Sequence, residues 1–217
     1  MPHASGTEPI YRPAPHETAN PRPLRHRRQP LPRTGAVRAG GARVIQYRDK
    51  RGDPAGRAAI AHELNRLCVE HGAPLLINDD VALAAEVGAA GVHIGRDDAD
   101  LARTRAQLGD AAIIGVSCYN ELERALTAQA GGADYVAFGR FFPSHTKPNA
   151  VQATTALLYA ARTRLDIPIV AIGGITPENG ATLLEAGADA LAVIEGVFGQ
   201  ADIQAAAERY ARLFEGL

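Results

Sequence analysis

The chain has only two cysteines, Cys68 and Cys118, in 217 residues. Two thiols make no disulfide framework, and they fit a reduced, cytoplasmic setting. No apolar run approaches the roughly 18 residues needed to span a bilayer, so no membrane partner is expected. The net charge is only −1, which gives no global reason to expect nucleic acid as a partner. The first clear strand-like run is followed by no glycine fingerprint, which argues against a nucleotide-binding sheet. No His–Asp relay accompanies the hydroxyl of Ser117, so a serine nucleophile has no basis here.

What is present is unevenly spread. Residues 1–40 hold seven arginines against two acidic residues, a charge of +5 that leaves −6 for the rest, and eight of the 14 prolines. Proline removes backbone donors and fixes φ, so residues 1–34 read as an irregular or disordered segment without a central strand or long helix. The prolines spoil an amphipathic transit helix, and Arg27-Arg28 is followed by no apolar stretch of an export signal. A basic arm touching nucleic acid is the less favoured alternative.

From residue 35 to 217 the pattern is regular and suits one domain. Hydrophobic residues make up 46% of the chain, and its 22 glycines suit many tight turns. Short runs rich in Val and Ile recur at 43–47, 74–78, 91–95, 113–117, 135–139, 168–173 and 190–194. Alanine-rich segments with helical spacing lie between them, at 57–71, 81–89, 98–108, 121–131, 151–164 and 177–186, and a last one covers 203–214. Apolar runs without alternation indicate strands buried on both faces, hence a parallel sheet. The spacing predicts a TIM-type (β/α)8 barrel whose first βα unit is missing or replaced by the irregular N-terminal segment.

Active sites of such barrels form at the C-terminal strand ends, which here carry polar clusters. In Gln46-Tyr47-Arg48-Asp49-Lys50, alternation puts Gln46, Arg48 and Lys50 on one side, a set suited to a diphosphate; the plainer reading is a strand end salt-bridged to Asp49. Asn78-Asp79-Asp80 follows the next run. Asp79 pairs naturally with Asp98 of the following one, and two carboxylates beside a diphosphate suggest Mg2+. Asp80, and equally Asp97 or Asp98, have the alternative role of helix caps. His93 reads better as a satisfied core histidine than as a catalyst, Ser117 as a hydrogen-bonding group, and Cys118 as a packing residue. After the run at 135–139, Ser144, Thr146 and Lys147 supply two hydroxyls and a mobile cation for anionic oxygens, before a helix expected near Asn149. Gly173-Gly174 and the turn after Ile194 suit a monophosphate bound by backbone amides.

These clusters, in this order, resemble the thiamine phosphate synthase family over roughly residues 36–217. The matching motifs are Gln46-x-Arg48-x-Lys50, Asn78-Asp79, the Gly-Val-His-Ile-Gly stretch with Asp98, Gly115-Val-Ser117, Pro143-Ser144-x-Thr146-Lys147 and Ile172-Gly-Gly174-Ile175. The resemblance implies a transferase that joins 4-amino-2-methyl-5-hydroxymethylpyrimidine diphosphate to a thiazole phosphate, or its carboxylate, and releases diphosphate. It implies Mg2+ on Asp79 and Asp98, with Arg48, Lys50 and Lys147 stabilising the leaving group. Gln46, Asn78 and Ser117 would orient the pyrimidine and diphosphate. Ser144, Thr146, Gly174 and the backbone around Ile194 and Glu195 would position the thiazole phosphate and the diphosphate. Partners are then small molecules, with a homo-oligomer possible.

Two departures stand out: the family often has Ser or Thr where Glu195 stands, and Thr where Ser144 stands. A third is the N-terminal segment, which lacks the family's first strand; a shifted reading frame or misassigned start would leave such a segment, with two strand edges exposed. The competing readings are a thiazole tautomerase-like isomerase, which needs no diphosphate–metal site, and an inactive binder of phosphorylated metabolites.

Overall fold

A computed structural model of the chain describes residues 6–11, as backbone, and 39–50, 53–96, 100–143 and 151–215. Among these, eight strands close a barrel in chain order. They are β1 (Gly6–Tyr11), β2 (Val44–Arg48), β3 (Leu75–Asn78), β4 (Gly91–Ile94), β5 (Ile113–Tyr119), β6 (Tyr135–Gly139), β7 (Ile169–Ile172) and β8 (Ala190–Ala192). Helices α1 (Pro54–Glu70), α2 (Val81–Val87), α3 (Leu101–Leu108), α4 (Leu122–Ala130), α5 (Thr155–Arg162) and α6 (Gly180–Glu185) connect the strands from β2 to β8. The short α7 (Glu195–Phe198) and then α8 (Ile203–Ala211) follow β8.

Strands β2 to β8 are parallel, each bonded to the next, as the unalternating apolar runs require. The N-terminal segment corrects the expectation that it forms no strand. Residues 6–11 pair antiparallel with β2, from Gly6 opposite Arg48 to Ile10 opposite Val44, and with β8 through Ile10 and Tyr11. The expected open edges are therefore paired. Pro9 lies within this strand, opposite Ile45. Direction is the point of difference: β1 runs against the other seven strands.

Side chains of the strands sort into two cores by alternation. Leu75 and Ile77 point outward into the larger core, with Val92, Ile114, Val136 and Ile169, where the helices bring Leu64, Leu83, Leu158 and Leu183. Leu76, Tyr135, Ala137, Val170, Ala190 and Ala192 fill the barrel interior. Each fully buried Leu or Ile contributes about 1.5–3 kcal/mol, so the outer layer dominates stability. The interior residues are mostly small, which leaves room above them at the C-terminal end.

Acidic caps start α1, α2 and α3 just past the tips of β2, β3 and β4. The carboxylates of Asp53, Asp80 and Asp100 accept from Gly56 N, Leu83 N and Arg103 N at 2.9, 3.0 and 2.9 Å. Asp80 thus takes the capping role. Three helices begin clearly later than their periodicity suggests, α3 at Leu101 rather than 98, α5 at Thr155 rather than near Asn149 and α6 at Gly180 rather than 177. No helix among the described residues is long and apolar enough to cross a membrane.

Candidate active site

Two depressions share the C-terminal end of the barrel. A cavity of 380 Å³ opens over the interior core, lined by Gln46, Asn78, Ser117, Gly174, Ile194 and Glu195 among others. Beside it, a crevice of 540 Å³ is lined by Asp49, Lys50, Arg57, Asn78, Asp79 and Arg103, with further carboxylates from Asp80 and Asp100. Asn78 belongs to both, so the two are neighbours across the tip of β3.

The cavity is apolar at its base and polar at selected points. Ala137, Val170, Ile172 and Ala192 form the base. Gln46 is 2% exposed, and its Oε1 accepts no hydrogen bond among the described residues. A buried amide oxygen without a donor costs roughly 1–3 kcal/mol, so this atom fits a ligand's N–H. Ser117 Oγ lies 2.8 Å from His93 Nε2, and His93 Nδ1 lies 2.8 Å from Tyr135 Oη. His93 is therefore the satisfied histidine its sequence setting suggests. Arg124 fixes the backbone here, donating through Nε to Ser117 O at 2.8 Å and through Nη2 to Gly95 O at 3.2 Å.

On the far side, Gly173 and Gly174 have φ of 101° and 66°. A Cβ on Gly174 would meet Pro143 O at 2.4 Å, so glycine is needed both for the backbone turn and for the close approach of the β6 loop. Asn179 ties this turn, accepting from Thr176 N at 2.8 Å and donating to Gly174 O at 3.2 Å. Glu195 lines the cavity, yet its side chain runs back along α7: a Cβ added to Gly199 would meet Oε1 at 2.6 Å. The carboxylate thus turns toward Gly199, the condition under which a phosphate can bind nearby.

The crevice gathers ions. Asp79, with φ 65°, sits at the tip of β3 and its carboxylate accepts from Lys50 Nζ. Arg57 Nη2 lies 3.3 Å from Asp80. A hard-oxygen carboxylate among several cations fits a magnesium diphosphate, since the ion takes carboxylate and phosphate oxygens together. The described residues hold no group of three or more metal-ligating side chains. Asp98, the second expected ligand, lies outside the described residues, as do Ser144, Thr146 and Lys147. Arg48 ends β2 half-buried and lines neither depression.

Sequence reasoning overlooked Tyr135, although alternation with Ala137 along β6 already places it inside the barrel. It also overlooked Arg57 and Arg103, which lie in the first turns of α1 and α3 and carry no motif. Cys68 and Cys118 are both fully buried, and burial pushes both thiols up to about 12, so neither is reactive.

Comparisons with known proteins bear on the family. The family model described as thiamine monophosphate synthase matches residues 22–197. The chain is 57% identical over 175 residues to a thiamine-phosphate synthase of Nitrosococcus oceani, covering 81% of each. It is 54% identical over 183 residues to that of Thioalkalivibrio sulfidiphilus, covering 84% of this chain and 87% of the relative. Among solved structures, thiamine phosphate pyrophosphorylase from Pyrococcus furiosus superimposes with a TM-score of 0.75 at 35% identity, over 81% of this chain and 84% of that one. A family model over most of the chain and relatives of this similarity leave one assignment: the chain belongs to the thiamine monophosphate synthase family.

Proposed function

We propose that the chain condenses hydroxymethylpyrimidine diphosphate with a thiazole phosphate, giving thiamine phosphate and diphosphate. The observation that carries this reading is the pairing of an apolar cavity with an ion-lined crevice across Asn78. The aminopyrimidine ring lies over the base formed by Ala137, Val170 and Ala192, with Gln46 Oε1 accepting from its amino group. The diphosphate reaches past Asn78 into the crevice, where Lys50, Arg57 and Arg103 supply positive charge.

The bond between the pyrimidine methylene carbon and the diphosphate oxygen breaks, and its electron pair leaves on the diphosphate. The thiazole nitrogen then gives its lone pair to the carbon, so no protein nucleophile is required. Cations fixed around the departing oxygens stabilise charge as it develops. The apolar base keeps water from the electron-poor carbon until the thiazole attacks. Asp79 with Asp98 would hold Mg2+, which when bound neutralises diphosphate charge. Lys147 and Arg48 would add to that charge. Ser144, Thr146 and the backbone amides of Gly174, Ile194 and Glu195 would receive the thiazole phosphate. Two free, buried cysteines support a cytoplasmic setting.

The two halves of the site separate by mutation. Asp79→Ala is expected to lose diphosphate release while still binding thiazole phosphate in a calorimetric titration. Retention of metal-dependent release by Asp79→Ala would overturn the placement of the leaving group in the crevice.

A further inference from the structure

Three strands bring one residue each into a single layer beneath the cavity. His93 on β4 is in register with Gly115 on β5, and Gly115 with Tyr135 on β6. Gly115 carries no side chain, and the phenol takes that space: a Cβ on Gly115 would lie 1.9 Å from Tyr135 Cζ. The imidazole and phenol rings therefore meet across β5, with centroids 5.5 Å apart and planes 25° from parallel. Ser117, two residues further along the same face of β5, stands above them and lines the cavity. The result is a continuous chain from Tyr135 Oη through both imidazole nitrogens to Ser117 Oγ, with 2.8 Å at each contact.

A neutral imidazole has one N–H and one bare nitrogen, so the two contacts must have opposite sense. The hydrogen bond on one ring nitrogen decides which tautomer the ring adopts. A phenolic O–H is a stronger donor than an aliphatic hydroxyl, because the charge left on oxygen spreads into the ring. The sense this favours has the phenol donating to Nδ1, the proton on Nε2, and Nε2–H donating to Ser117 Oγ. With Oγ already accepting, the serine O–H is left to donate into the cavity.

We propose that His93 and Tyr135 are positioning residues that fix the Nε2–H tautomer and thereby make Ser117 a hydrogen-bond donor toward the pyrimidine diphosphate. The inference rests on the proposed synthase reading, which places that substrate in the cavity that Ser117 lines. It also complements Gln46, whose buried Oε1 can only accept. One cavity wall then offers an acceptor and another a donor, matching a substrate that carries both an amine and bare lone pairs.

The first test is the imidazole nitrogen spectrum of the nitrogen-15-labelled protein. A pyridine-type signal at Nδ1 of His93 and a pyrrole-type signal at Nε2 are expected; the reverse assignment, or a doubly protonated ring at neutral pH, overturns the inference. The second test is kinetic. Tyr135→Phe removes the group that selects the tautomer and is expected to lower kcat/KM for the pyrimidine diphosphate about tenfold. KM for the thiazole phosphate should not move. His93→Gln, which can still present an N–H toward Ser117, should retain more activity than His93→Ala. Equal loss in those two variants, or wild-type kcat/KM in Tyr135→Phe, overturns the inference even though the wild-type protein makes thiamine phosphate. Failure of the wild-type protein to make it would instead sink the synthase reading, and the tautomer would still be read directly from the spectrum.

Discussion

Gln46 shows how much one atom can carry. Its side chain is buried in the middle of β2, where a leucine of similar size would satisfy the barrel interior without leaving a polar atom to account for. Under the proposed function, a ligand's N–H completes this amide. Gln46→Leu should therefore leave the fold intact, or slightly stabilise it, and lower kcat/KM for the pyrimidine diphosphate by about 10- to 100-fold, corresponding to a lost hydrogen bond in a dry site. Steady-state kinetics with thermal melts of the same variant check both halves. Cys68 and Cys118 make the opposite case, as buried groups with only a structural role. Burial raises both thiols from an ordinary value near 9.0 to about 12. Below 9 the folded and unfolded chains hold these protons equally. Between 9 and 12 only the unfolded chain releases them, so stability falls as pH rises through that window. Urea melts at neutral pH and at about 10 should show the drop, and replacing both cysteines with alanine should flatten it.

At the scale of elements, the same three residues recur where a helix returns to the sheet. Gly132-Ala133-Asp134 precedes β6 and Gly187-Ala188-Asp189 precedes β8. In each, the glycine takes a positive φ, 87° and 110°, and the alanine amide donates back into the preceding helix at 3.0 Å. The aspartate then latches the neighbouring strand: Asp134 Oδ2 accepts from Ile114 N at 2.7 Å, and Asp189 Oδ2 from Ile169 N at 2.9 Å. Arg105 Nη2 and Arg162 Nη1 hold the two carboxylates from adjacent helices. These latches sit at the end of the barrel away from the site. Asp134→Ala or Asp189→Ala should each cost about 1–3 kcal/mol in chemical denaturation, by leaving a strand amide without its acceptor, with KM for both substrates unchanged.

The periodic signals made β2 to β8 and most helices legible in the sequence, because burial on both faces leaves uninterrupted Val and Ile runs. The positions of Asn78, Asp79, Ser117 and Gly174 at strand tips were legible as well, since each directly follows or ends such a run, and Gln46 was legible by its alternation within the run at 43–47. Tyr135 was legible only as an inward-facing residue; its contact with His93, like the Arg57–Arg103 flank, depends on neighbours brought together by the barrel. Glu195 was legible as a departure only; that its carboxylate turns back toward Gly199 depends on the path of α7.

Closure governs the whole molecule. Seven parallel strands would leave the edges of β2 and β8 open, and β1 occupies both in the antiparallel sense. Proline within β1 made a strand there hard to foresee, since proline lacks a ladder donor and is ordinarily confined to edges. Deleting residues 1–11 should expose both edges. A lower melting temperature and growth of light scattering on warming are expected, with urea lowering the scattering. A deletion that melts and scatters like the full chain would show that β1 adds nothing to the barrel. The account as a whole stands or falls on one assay: product analysis of the purified full chain given the pyrimidine diphosphate, the thiazole phosphate and Mg2+. It predicts thiamine phosphate and diphosphate in equal amounts, with neither formed when one substrate or the metal is left out. Folded protein that releases no diphosphate, or that only isomerises the thiazole phosphate, would contradict it.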